Sequence, residues 1–186
     1  AVSCLPAIVI GLPLDDWVEE HMHKPVPIAS MLILYGVLFI LIENYNRRRS
    51  PRITKISQIT WTDALLIGIF QVLAIIPGTS RSGATIVGGI LIGMSRTLAA
   101  EYTFYLAVPT MLGASAMKLV KFGLHFTSAE AFTLILGMAV AFVVSILAIK
   151  FLMSYIKRHD FKVFGWYRIV LGALVLALAA AGCLRG

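Results

Sequence analysis

Ile75–Ile76–Pro77–Gly78–Thr79–Ser80–Arg81–Ser82–Gly83–Ala84–Thr85 interrupts an apolar run, and its reading decides how the chain folds. From Trp61 to Ile76 the sequence suits one apolar helix, for which Thr62 and Asp63 offer a cap. Pro77 then removes a backbone donor, Gly78 and Gly83 loosen the chain, and an apolar leg resumes over Ala84–Met94. At about 1.5 Å per residue that leg covers roughly 16 Å, against a hydrocarbon core about 30 Å thick. A re-entrant helix–turn–helix hairpin over residues 61–94 satisfies this length, with both ends on one side and the turn near mid-membrane.

The rest of the chain supplies the bilayer context. Of 186 residues, 59% are hydrophobic and 13% charged, and the mean hydropathy is +0.90. A soluble domain averages about 45–50% apolar and about 25% charged residues. At roughly 20 residues per crossing, the apolar complement provides about four to six segments. The expected fold is an all-α polytopic membrane protein with about five transmembrane segments plus the hairpin. It forms a single integral membrane domain, with residues 1–45 as the remainder of a first half and 97–186 as the C-terminal helices. Disorder, a secreted disulfide scaffold and a coiled coil are excluded. Cys4 and Cys183 have no disulfide or zinc spacing and read as inert packing residues.

Residues 1–14 are apolar but interrupted by Pro6, Gly11 and Pro13, and read as the end of a helix that begins upstream. The chain opens on Ala1 rather than Met and shows no cleavable signal, so it reads as N-terminally truncated. After a polar stretch over 15–24, a span is expected over Val26–Ile42, followed by the most basic loop, Asn46–Lys55. Further spans are expected over Thr97–Val120, Ser128–Tyr155 and Val163–Ala181, with Lys121–Phe122–Gly123 ending the first of these. The net charge of +7 is concentrated in short gaps between apolar runs, a positive-inside pattern rather than a nucleic-acid surface. Placing loop 46–55 in the cytoplasm also brings Lys157–Arg158 inside, provided that the hairpin returns to the side it left.

A turn at membrane depth persists only where protein or a water-filled cavity surrounds its free backbone groups. Here Gly78 and Gly83 allow close backbone approach, Thr79, Ser80 and Ser82 bring hydroxyls, and Arg81 brings a fork of donors suited to phosphate oxygens. The helix that follows aims its N-terminus at the same point, and Thr85 stands ready to add a hydroxyl. Every component favours an anion. The bland alternative is a surface loop with Arg81 snorkelling to headgroups. Glu101 reads either as a helix-dipole partner or as a counter-charge that orients Arg81, and Gln71 either as a cavity hydrogen-bonder or as a brace of the hairpin. Asp63 reads as a helix cap. His21, His23, His125 and His159 read as surface or helix-end histidines and specify no metal site.

The run Gln71–Val72–Leu73–Ala74–Ile75–Ile76–Pro77–Gly78–Thr79–Ser80–Arg81–Ser82–Gly83–Ala84–Thr85, followed by Gly88–Gly89, Gly93–Met94–Ser95–Arg96, Glu101 and Leu106–Ala107–Val108–Pro109, resembles the bacterial undecaprenyl-diphosphate phosphatase family of bacitracin-resistance proteins. The resemblance extends over essentially the whole chain. It implies a multi-pass enzyme of the bacterial inner membrane, built from inverted repeats that each contribute a re-entrant hairpin. Such an enzyme removes the terminal phosphate of undecaprenyl diphosphate and regenerates the lipid carrier for peptidoglycan synthesis, using Mg²⁺ or Ca²⁺.

By the same resemblance, Gly78, Thr79, Ser80, Arg81, Ser82, Gly83 and Thr85 would hold the diphosphate, with Arg81 and Ser80 as catalytic residues. The implied partners are the polyprenyl diphosphate lipid, the bilayer and a second copy of the chain as a homodimer, with no nucleic acid. The prenyl tail would lie along apolar surface such as Phe104, Tyr105 and Met111, residues that otherwise read as packing. The family's other motif, Glu-x-x-x-Glu followed by Pro-x-Ser-Ser-Thr-Gly-His, does not occur in these residues. The chain is therefore expected to hold half of an active site, to leave the cation ligands to an upstream segment, and to turn over little substrate alone. A lipid-phosphate transporter is the competing reading, because broken helices aimed at an anion also mark secondary transporters.

Overall fold

Small residues decide which helices come closest. The computed structural model describes residues 2–47, 49–122 and 127–183. Its helices are α1 (Leu12–Met22), α2 (Pro25–Asn46), α3 (Trp61–Val72), α4 (Arg81–Leu91), α5 (Arg96–Phe122), α6 (Ser128–Arg158) and α7 (Lys162–Ala180). The most extensive contact is between α2 and α7, and it is made by stripped surfaces. A Cβ on Gly36 would fall 2.7 Å from the Gly165 carbonyl oxygen, and one on Gly172 would fall 2.8 Å from that of Ala29. Such spacing brings backbones together where lipid offers no hydrophobic drive for association.

Among the described residues four helices, α2, α5, α6 and α7, are long and apolar enough to cross a membrane. The segment expected as the end of a further span is divided into a 3-10 turn at Val2–Cys4, a wide turn at Ala7–Gly11 and α1. It packs beside α3 and α5: the Ser3 hydroxyl lies 2.6 Å from that of Tyr102, and the Gly68 backbone passes against Ser3 and Pro6. Pro109 sits inside α5, where the Thr110 hydroxyl donates to the Leu106 carbonyl at 2.7 Å. Most of α6 and residues 111–120 of α5 are exposed apolar surface.

Local chemistry sets the hairpin limits. Thr60, rather than Thr62, caps α3 through a reciprocal box with Asp63 (3.2 and 3.0 Å). After α3 a 3-10 turn at Leu73–Ile75 leads into the break, and α4 starts at Arg81, earlier than the expected Ala84. Gly88 admits the Phe70 ring, so the two legs lie close together.

The ends of the hairpin meet on one side. Arg52 Nη2 donates to Asp63 Oδ1 at 2.6 Å, at the start of the first leg, and to the Ile92 carbonyl at 3.3 Å, at the end of the second. Ile53 also bridges the chain around Met94, its N–H donating to the Gly93 carbonyl (3.0 Å) and its carbonyl accepting from the Ser95 N–H (2.9 Å). Glu43, near the end of α2, bonds both Arg96 of α5 and the Phe161 N–H just before α7. Loop 46–55 and the basic residues around 157–162 therefore share one end of the molecule, as a returning hairpin requires.

The turn lies far along α2 from the basic loop. Gly78 adopts φ +90°, and a Cβ there would fall 2.4 Å from the Ile28 carbonyl oxygen, one turn inside the start of α2. From Glu43 to Ile28 the helix rises about 22 Å at 1.5 Å per residue. The turn is thus beyond the middle of α2, toward the end away from the basic loop.

Candidate functional site

The site is built on the strained entry to α4. Ser80 is its N-cap at φ 65° and ψ 122°, and is the one positive-φ residue other than glycine among those described. A non-glycine residue held there costs on the order of 1–3 kcal/mol, and survives because its surroundings determine it. The Ser80 hydroxyl accepts from the Gly83 N–H at 3.4 Å and lies 3.1 Å from the Ser82 hydroxyl. The sequence dictates this local form: Pro77 and Gly78 end the first leg, and a serine can cap the second.

Behind the serines the turn is held by a residue that the motif does not contain. Arg168 of α7 donates from Nη1 to the Thr79 carbonyl at 3.0 Å, with its guanidinium 5.6 Å from the centre of the Phe39 ring. Its signal in the sequence is a lone cation within an apolar span, a default marker of function inside a membrane. The Thr79 hydroxyl, Arg81 Nη1 and both polar atoms of Gln71 are buried without hydrogen-bond partners. Groups of that kind carry a desolvation cost until something polar reaches them.

Ser80, Ser82, Gly83 and Arg168 form the polar part of a cavity of about 260 Å³. Apart from Thr103 and Tyr167 its remaining wall is apolar and includes Phe39, Ile86, Phe104, Leu152, Ile156 and Phe164. Phe104 thus faces the cavity, whereas Tyr105 and Met111 are exposed and absent from its lining. Arg81 is partly buried beside Ser80 but does not line this cavity.

Thr85, expected to hold the diphosphate, and Glu101, a candidate counter-charge for Arg81, are placed differently. The Thr85 hydroxyl is committed: it bonds the Arg81 and Ser82 carbonyls (3.0 and 3.2 Å) and lies 2.8 Å from the Thr103 hydroxyl. One proton cannot serve all of these and a ligand, so Thr85 braces α4 against α5. Glu101 makes no ion pair with Arg81. Among the described residues the carboxylate–guanidinium pairs are Asp63 with Arg52 and Glu43 with Arg96. The three chain positions Gln71, Thr79 and Arg81 each bury unpaired atoms, so the hairpin retains hydrogen-bonding capacity that no brace consumes.

Asp63 serves the capping of α3, as the N3 partner of Thr60 rather than as the N-cap itself. His21 and His159 are exposed and stack on Trp17 (4.8 Å) and Tyr155 (4.3 Å), and His23 is exposed. His125 and Gly123 lie outside the described residues. Cys4 is buried and Cys183 exposed, both unbridged. The donors around the turn are hydroxyls and guanidinium groups, whereas Mg²⁺ and Ca²⁺ take oxygen ligands rich in carboxylate. No three His, Cys, Asp or Glu residues come together among those described. The residues present at the turn fit an anion and do not by themselves fit a divalent cation.

A family model described as bacitracin resistance protein BacA matches residues 1–174. The chain belongs to the BacA family. It is similar to the undecaprenyl-diphosphatase of Enterococcus faecalis, 65% identical over 180 residues that cover 97% of this chain and 65% of the relative. It is also similar to undecaprenyl-diphosphatase 1 of Clostridium acetobutylicum, 62% identical over 94% of this chain and 64% of that one. The corresponding protein of Desulfitobacterium hafniense is 59% identical over 100% of this chain and 67% of its own length. The chain thus spans about two thirds of these relatives. As a BacA family member it is a multi-pass membrane protein, and its turn at 77–83 gathers hydroxyls and one guanidinium.

Proposed function

We propose that the chain forms part of an undecaprenyl-diphosphate phosphatase, which releases phosphate from undecaprenyl diphosphate and returns the monophosphate carrier to peptidoglycan synthesis, with bacitracin resistance as a consequence. The observation that carries this reading is the amphipathic cavity: serine hydroxyls and Arg168 at one end, aromatic and aliphatic walls beyond. A prenyl diphosphate has the same division of character.

Hydrolysis of a phosphoric anhydride demands stabilisation of charge on the transferring phosphoryl oxygens and alignment of the attacking group. Ser80, Ser82 and the free N–H groups at the start of α4 would donate to those oxygens, and Arg81 would supply the compensating charge. Arg168 would keep the Thr79–Ser80 backbone in its strained form. Mg²⁺ or Ca²⁺ would draw its ligands from carboxylates outside this cluster, and titration of cation-depleted protein measures that requirement.

On our reading loop 46–55 is cytoplasmic in a bacterial inner membrane, and the closeness of Gly78 to Ile28 then favours a headgroup site nearer the outer leaflet. Assembly as a homodimer is measured by light scattering in detergent. The test of function is phosphate release from undecaprenyl diphosphate in detergent by a version spanning the full length of the relatives. Activity abolished by Arg81→Ala supports the enzyme, and very low turnover is expected of the 186 residues alone. Movement of lipid phosphate across vesicles without phosphate release would instead favour a transporter.

A further inference from the structure

The end of the molecule away from the turn carries a second, oppositely placed cavity. Between the end of α2 and the start of α5 lies a cleft of about 430 Å³, whose lining includes Glu43, Arg47, Arg49, Ser95, Arg96 and Thr97. Its charges do not cancel. Glu43 is fully buried, with one oxygen on Arg96 (3.0 Å) and the other on the Phe161 N–H (3.3 Å), so its capacity is spent inside the protein. Arg47 and Arg49 are exposed and form no ion pair among the described residues. The Arg49 guanidinium is steadied over the Tyr45 ring at 4.4 Å, which presents it without neutralising it. Nearby Arg52 is occupied by Asp63.

We propose that this cleft binds the phosphate of an anionic phospholipid headgroup. Guanidinium forks match phosphate oxygens in pairs, and two of them here have no side-chain hydrogen bond or ion pair among the described residues. The cleft itself is polar, and what favours a lipid over free phosphate is the apolar surface that adjoins it. A smaller cavity shares Arg49, Asn46 and Pro51 with the cleft and continues onto Tyr45 and Leu91, which are 39% and 45% exposed. An acyl chain leaving the cleft therefore has apolar surface to follow. Basic pockets at the cytoplasmic ends of membrane helices suit such headgroups. This site is separate from the turn and does not depend on the phosphatase reading.

Native mass spectrometry of the purified chain in detergent, with dioleoyl-phosphatidylglycerol or dioleoyl-phosphatidylcholine as probe, tests it. The chain should retain phosphatidylglycerol in preference, and Arg47→Gln/Arg49→Gln should lower that occupancy about tenfold, while Arg81→Ala leaves it unchanged. Arg96 is kept intact because it neutralises Glu43; if the double variant fails to insert, Arg49→Gln alone should still reduce occupancy. Equal retention by the arginine variants, or loss of binding in Arg81→Ala, overturns the proposal. Displacement of the lipid by millimolar inorganic phosphate overturns it in favour of a free-phosphate site.

Discussion

Glu43 and Arg96 are separated by 53 residues, yet Arg96 Nη1 donates to Glu43 Oε1 at 3.0 Å, with the glutamate side chain 1% exposed. The pair joins the end of α2 to the start of α5, directly after the hairpin has returned. Glu43→Ala removes the acceptor for two elements at once and leaves a partly buried guanidinium unpaired. Breaking a buried pair costs about 3–5 kcal/mol, and the partial exposure of Arg96 reduces the expected loss to about 2 kcal/mol. Thermal unfolding in detergent measures it, and an unchanged midpoint would refute the role.

Ser80 combines a backbone cost with a functional hydroxyl, so stability and activity should separate. Ser80→Gly keeps an acceptable N-cap, losing only a few tenths of a kcal/mol, and relieves strain on the order of 1–3 kcal/mol. The variant should be more stable by about 1 kcal/mol while its phosphate release falls. Ser80→Ala, with neither cap nor glycine freedom, should lose both stability and activity. Paired melting and phosphate assays on the full-length version distinguish the two.

Arg168→Met removes the donor that holds the Thr79 carbonyl. The expected outcome is a fall in kcat of about a hundredfold, corresponding to roughly 2.7 kcal/mol. Arg168→Lys should recover only part of it, because an ammonium lacks the planar fork. Steady-state kinetics on the same substrate provide the check.

The apolar cavity wall should govern affinity for the lipid rather than the chemical step. Leu152→Trp fills part of the space beside Phe104 and Ile86 and should raise KM for undecaprenyl diphosphate about tenfold, or roughly 1.4 kcal/mol. The effect on farnesyl diphosphate should be smaller. Equal effects on both lengths would argue against this path for the tail.

Gly36 and Gly165 face one another's carbonyls, so added volume must separate α2 from α7. Gly36→Val should destabilise by about 1–3 kcal/mol. It should also weaken the reach of Arg168 to Thr79, visible as lower activity at temperatures where the protein remains folded.

Much of the hairpin is legible along the chain because its evidence is local. Pro77 and Gly78 end one leg, the second leg is too short to cross, and the hydroxyls and Arg81 follow in sequence. Its exact start is less legible: Thr62 and Asp63 read as the cap, whereas Thr60 is the N-cap and Asp63 its reciprocal partner. The same limit applies at Thr85. Its hydroxyl looks available until Thr103 is brought opposite it by the packing of α4 on α5.

The amino-acid pattern alone determined a helical membrane protein, a broken hairpin and a turn rich in hydroxyls with one arginine, because hydropathy, proline and glycine act over a few residues. Only the tertiary structure decided that Arg168 reaches that turn, that Glu101 leaves Arg81 unpaired, and that Gly78 sits near the far end of α2. These are consequences of how closely helices approach and which faces they turn to one another, distances that depend on side-chain volume across pairs of elements remote in the chain.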